Sequence, residues 1–311
     1  MRLSELLAVL LLVSFGVFTL LSFAPGDPAT AALGPGQPPE AYAELREEMG
    51  LNDPLLTRYF DWLGGVVRGD FGDSLMPPHT PVWDRISAAL PVSLQLAAMA
   101  LLLALLVSVP LAMWAASRAG GVVDRGVSAL NFGMLSVPSF LSALLLVIVF
   151  VNKLGWFPRT GFTRLSESVT GNLHSMLLPV VAISLVEIAY FTRVLRNDMV
   201  ITLQEDYVLA ARARGMKNWR ILFVDALRPS SFSLVTLLGL SLGTLIGSTV
   251  IVESIFNLPG MGRMLVEAVS QGDFPIVQGA VLMIAVIYVV ANALIDVVYE
   301  LLDPRTRRAT S

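Results

Sequence analysis

Cysteine is absent from the 311 residues, which removes disulfide staples, thiolate nucleophiles and thiolate metal ligands. Histidine is nearly absent: only His79 and His174 occur, so there is neither an HExxH helix nor a histidine pair for a catalytic metal. No GxxxxGK[ST] stretch cradles a nucleotide phosphate, and no Gly-x-Ser-x-Gly turn raises a nucleophilic serine. Charge is scarce as well. Charged residues make up 14% of the chain and hydrophobic ones 55%, with a mean hydropathy of +0.72. Those values exclude an ordinary soluble domain and indicate an all-α integral membrane protein. The net charge of -3 argues against a nucleic-acid partner.

What is present is a set of apolar runs. Uncharged stretches cover 6–26, 86–117, 126–152, 229–252 and 274–295, and a sixth run near 175–195 is interrupted by Glu187 and Arg193. A membrane-spanning helix needs about 20 residues, so six crossings are predicted, near 5–24, 91–116, 127–151, 177–196, 231–253 and 276–300. The first run is too long for a signal-peptide core and lacks a clear cleavage site, so it reads as a retained helix. An even count places both termini on one side. Arg2, Arg118, Arg125, the seven basic residues of 193–228, Arg305, Arg307 and Arg308 make thirteen cations in short segments on that side. The other side carries eight over a greater length, so the termini and the loop after the fourth span are cytoplasmic. Three regions follow: 1–90, a helix with an external helical segment; 91–301, a five-helix core containing the loop 202–229; and 302–311, a cytoplasmic tail.

That loop, TLQEDYVLAARARGMKNWRILFVDALRP, has its own helix signals. Thr202 and Glu205 stand three apart as a capping box. Glu205 and Asp206 put acid in a first turn, Arg212 and Arg214 put base in a last turn, and Gly215 ends the helix. A second short helix restarts near Lys217. Tyr207, Val208, Ala210 and Ala211 form a small apolar face, suited either to a groove on a partner or to lipid headgroups.

Elsewhere the external segment predicts helices at Pro39–Met49 and Leu55–Val67. The second would present Tyr59, Trp62 and Leu63 to headgroups or to a neighbouring subunit. Gly69–Ser74 reads as capped turns carrying Asp70 and Asp73, with a metal site as the weaker alternative. Pro81–Leu90 reads as an interfacial helix and Pro110 as a bend in the second span. Within the spans the small polar residues Asn131, Ser139, Ser241, Thr244 and Ser248 either pack neighbouring helices or line a pathway. Glu187, costing about 2.5–3.5 kcal/mol if ionised at a span centre, must face protein or water: a substrate pathway, Arg193 or a partner chain. Gly239, Gly243 and Gly247 form a ridge for close helix approach. One buried acid and no evident repeat give little support to an ion-coupled secondary transporter. A transport protein with a docking loop and no nucleotide site borrows its engine.

The loop resembles the cytoplasmic EAA loop of bacterial ABC importer permeases: Ala210 and Ala211 match the paired alanines and Gly215 the following glycine, although Leu209 replaces the usual acid. Further motifs are similar to the first-permease (B-type) subunit of the dipeptide, oligopeptide and nickel permease family. They are Pro25-Gly26-Asp27-Pro28, Leu51–Trp62, Gly69–Ser74, Asp206-Tyr207-Val208, Glu253–Gly262 and Asp303-Pro304-Arg305. The resemblance implies the type I, MetI-like importer fold in a bacterial cytoplasmic membrane. It further implies a second permease subunit, two ATPases that hold ATP and Mg with no cofactor on this chain, and an external substrate-binding protein. By the same resemblance Glu205, Asp206, Tyr207, Ala210, Ala211, Arg212, Arg214, Gly215 and Met216 would couple the chain to an ATPase. Its cargo would be peptide, with nickel or another small solute as the alternative. The candidate pathway residues are Asn131, Ser139, Glu187, Ser241, Thr244 and Ser248.

Overall fold

The computed structural model describes residues 3–23, 26–158 and 161–302, and among them every regular element is helical. The helices are α1 (Leu3–Ser22), α2 (Pro28–Leu33), α3 (Pro39–Glu48), α4 (Leu55–Val67), α5 (Val82–Ala116), α6 (Val122–Ser136) and α7 (Ser139–Leu146). They continue with α8 (Val169–Thr202), α9 (Asp206–Ala213), α10 (Asn218–Arg220), α11 (Leu227–Ile255), α12 (Met261–Gln271) and α13 (Phe274–Leu302). Two π-helical stretches, Val147–Lys153 and Ile221–Ala226, extend α7 and join α10 to α11. Five helices are long and apolar enough to cross a membrane, or six if the bent pair α6–α7 counts as one span.

Three spans differ from the sequence prediction. The interfacial helix expected over 81–90 is the first part of α5, which runs unbroken for 35 residues through Pro91 and Pro110. At 1.5 Å per residue α5 is about 52 Å long, well beyond the ~30 Å hydrocarbon core. The fourth span is likewise longer at both ends, 34 residues as α8. The third is not one helix: α6 and α7 meet at 94°. Pro138 has no N–H for the ladder and drives Val137 into extended backbone (φ -105°, ψ 116°). Pro138 was legible in the sequence, but the size of the bend was not.

The chain divides into two compact units, residues up to Ser93 with Pro259–Val290, and Leu94–Leu258 with residues from Ala291 onward. In the first, Phe71, Val82, Ile86 and Ala89 pack with Met261, Met264, Ile276, Val277 and Ala280 in one core. Gly279 allows that approach, since a Cβ there would stand 2.8 Å from Val82 Cγ1. The fully buried Asp273 accepts from the Ser74 hydroxyl and, at 3.1 Å, from the Leu75 amide, which pins the turn-rich external stretch. Asp70 accepts from Gly72 N at 2.9 Å, the capped turn expected there. Tyr59 and Trp62 of α4, expected at headgroups or on another subunit, have partners within the chain. They pack on Phe15 and Phe18 of α1, and the Tyr59 hydroxyl meets Ser14 Oγ at 2.9 Å.

In the second unit α8 is central, flanked by α6, α7 and α11. Its inward residues include Phe191, Leu195 and Met199, all fully buried. Arg196 donates through Nε (2.8 Å) and Nη2 to both oxygens of Asp124, a bidentate pair that fixes α6 to α8.

Candidate functional site

The loop after α8 is built from its ends inward. Thr202 does not cap α9: it is the last residue of α8, and its hydroxyl lies 3.0 Å from that of Ser230 on α11. The capping box therefore does not form, because a tertiary partner has taken the threonine hydroxyl. Glu205 takes the N-cap place in extended backbone, and its carbonyl accepts from Val208 and Leu209. At the other end Gly215 adopts φ +77°, a conformation in which L side chains are strained. Its N–H donates to Arg212 O at 2.9 Å and that of Met216 to Ala211 O at 3.2 Å. These two bonds are a Schellman cap, so the glycine stop read from sequence has a definite geometry.

One face of α9 is turned inward, with Val208 and Ala211 buried. The predicted coupling residues Glu205, Asp206, Tyr207, Ala210, Arg212, Arg214 and Gly215 are exposed, Met216 is half-buried, and Ala211 faces its own chain. The solvent side is also more apolar than the sequence reading allowed. Leu209 is exposed, and so are Trp219 and Phe223, four residues apart on the next helical stretch, with Val224 beside them. Their spacing was legible, but which side they faced was not. Together these residues present apolar groups flanked by Arg212, Arg214, Lys217 and Arg220.

Tyr207 donates to the backbone carbonyl of Asp225 at 3.0 Å. Burial first, then the carboxylates of Glu205 and Asp225, push its phenol above the ordinary value of 10.0, so at neutral pH it is a protonated donor. Asp225 Oδ2 is buried without a hydrogen-bond partner. A cavity of about 460 Å³ behind α9 is lined by Ser117, Leu203, Gln204, Arg212 and Asn218 among others.

The candidate pathway residues whose side chains are described lie on α6, α7, α8 and α11. Glu187 and Ser241 are both buried and bonded to each other, Ser241 Oγ donating to Glu187 Oε2 at 2.6 Å across α8 and α11. The conceivable pairing of Glu187 with Arg193 is not formed; the Arg193 guanidinium lies over the Phe132 ring at 5.4 Å. Asn131 is buried with Oδ1 unpartnered and lines a cavity of about 200 Å³ with Ser128, Phe132, Arg193 and Arg196. Ser139 is the half-buried first residue of α7. The side chains of Thr244 and Ser248 lie outside the described residues, as does the tail 303–311. Among the described residues no three His, Asp or Glu side chains are grouped to hold a metal.

Comparison with known proteins places this geometry in context. The family model described as "Binding-protein-dependent transport system inner membrane component" matches residues 108–308, and a companion N-terminal model of such membrane components matches 1–97. A probable peptide ABC transporter permease protein of Sinorhizobium fredii is 36% identical over 98% of this chain and 97% of its own. The oligopeptide transport system permease protein AppB of Bacillus subtilis is 36% identical over 96% and 95%. The dipeptide transport system permease protein DppB of Escherichia coli is 32% identical over 96% of each. In fold, the chain is similar to a solved inward-facing structure of the MetNI methionine ABC transporter. The TM-score is 0.58 at 16% identity, over 70% of this chain and 96% of that one.

Proposed function

Because the chain belongs to the family of binding-protein-dependent transport system inner membrane components, we propose that it forms half of the translocation pathway of an ATP-driven importer of di- or oligopeptides. Family membership makes it a multi-pass membrane transport subunit and not an enzyme; hydrolysis belongs to separate ATPase subunits, and cargo is delivered by a binding protein. The observation that carries the peptide assignment is similarity along almost the whole chain to permeases named for peptide, oligopeptide and dipeptide transport. In this reading a second permease completes the pathway in a bacterial cytoplasmic membrane, and two ATPases bind ATP and Mg, with no cofactor on this chain.

The loop 202–229 is where contact energy enters. Glu205, Asp206, Tyr207, Ala210, Arg212, Arg214, Gly215 and Met216, with Ala211 beneath, form the coupling helix and its cap. Closure of the ATPases moves this loop and biases the spans toward an outward-open state; hydrolysis resets them. A ligand or partner shifts such an equilibrium only by contacting the two states differently, so a capped, firmly held α9 suits the task. Asn131, beside its cavity, is the pathway residue of choice, whereas Glu187 and Ser241 hold α8 to α11.

The test is reconstitution with the ATPases, second permease and binding protein of its importer. ATP-dependent uptake of peptide supports the assignment. Uptake of nickel instead moves the cargo to a small solute, and proton-driven uptake by this chain alone removes the importer reading. Since the chain lacks cysteine, Ala213→Cys gives a unique cross-linking site on the exposed side of α9. A cross-link to an ATPase is expected.

A further inference from the structure

We infer that Tyr207 is the positioning residue that fixes the coupling helix to the base of α11, through the Asp225 carbonyl, whose α-helical donor Pro229 removes. This rests on the reading of the loop as the ATPase dock, and adds how motion of the dock reaches a span.

A helical path runs from Asn218 through the π-helical stretch into α11, and Pro229 is the third residue of α11. In an α-helical ladder the N–H of residue 229 would serve the carbonyl of Asp225 four residues earlier. Proline has no N–H, and its ring crowds that carbonyl. The ladder just before it is in the wider register, with Leu227 N–H donating to Leu222 O five residues back. The Asp225 carbonyl thus has no α-helical donor, and it is the atom that the Tyr207 hydroxyl reaches at 3.0 Å.

The geometry of the rest of the loop gives this bond its importance. Val208 and Ala211 hold α9 by apolar contact, which resists separation but is non-directional and permits sliding. A hydrogen bond weakens steeply with misalignment, so Tyr207 sets the register of α9 along the α11 base. At the root of the loop Thr202 and Ser230 join α8 to α11. The segment between these two ties is closed on itself and moves as a lever.

The experiment uses the importer assembled with its ATPases, second permease and binding protein in proteoliposomes, and a labelled peptide from the set that co-purifies with the binding protein. The readout is peptide imported per ATP hydrolysed. Tyr207→Phe removes only the hydroxyl and is expected to lower this ratio by about three- to tenfold, the factor associated with one hydrogen bond of ordinary net strength. Cross-linking of Ala213→Cys to the ATPase should persist. Adding Pro229→Ala supplies the Asp225 carbonyl with a helical N–H but does not retie α9, so the double variant should stay uncoupled. An unchanged ratio in Tyr207→Phe overturns the inference. So does recovery in the double variant, because Tyr207 would then merely satisfy a carbonyl. Failure of the parent Ala213→Cys chain to cross-link to an ATPase overturns the docking reading, and the inference with it.

Discussion

The Glu187 carboxylate, at the middle of α8, accepts from the hydroxyl of Ser241 on α11. Replacing Ser241 by alanine takes away a donor without freeing space for water. The cost expected is about 1–3 kcal/mol, the penalty for leaving a buried polar group unmatched. It would be read as a lower unfolding midpoint of the detergent-solubilised chain, and an unchanged midpoint would show that this bond contributes little. Gly279 makes a steric case: Gly279→Ala places a methyl 2.8 Å from the branched and therefore stiff Val82 side chain. Overpacking there should cost about 1–3 kcal/mol in the same assay. Neither environment was legible beforehand. The sequence marked Glu187 as needing a polar surrounding, because a carboxylate in a span is costly, but left a pathway, Arg193 and a partner chain as alternatives. A partner 54 positions away exists only once α8 and α11 have packed.

Among the elements, α9 gives the sharpest expectation. Gly215→Pro cannot adopt φ +77° and removes the N–H that closes the helix on Arg212. Ala211→Glu pushes a carboxylate into the buried side of α9. Both variants should reach the membrane fraction in normal amount and lose ATP-driven uptake; normal uptake in either would remove α9 from the coupling path. The stop at Gly215 was readable because glycine punctuation is local. The start at Thr202 was misread for the opposite reason: Ser230, which engages the threonine hydroxyl, is remote in sequence. The same division holds for the spans. Hydropathy located the apolar helices, yet it could not show that 81–90 joins the second span as one helix, that α8 continues past its apolar stretch at both ends, or that the third span breaks at 94° beside Pro138.

For the whole molecule, the sidedness expected from the sequence rests on a count of charges and not on packing. It is tested with single cysteines in this cysteine-free chain. Ala213→Cys should react with a membrane-impermeant thiol reagent only after the cytoplasmic face is opened, and the exposed Ala43→Cys of α3 should react from outside in intact spheroplasts. Reversed labelling would invert the topology. The fold class and the family were legible in the sequence. The composition of the compact units was not, because hydropathy along a chain carries no information about which spans meet.

The first unit's core has a consequence for how the protein is made. Val82 and Ile86 pack against Met261, Met264 and Ile276, residues that leave the ribosome almost two hundred codons later. At about 5–20 residues per second that is a delay of roughly 10–40 s. Throughout it the early half of the core has been synthesised without the later residues that complete it. The newborn chain must be sheltered during that time, and a translational pause placed before codon 261 would lengthen the exposure and send more of the product to proteolysis.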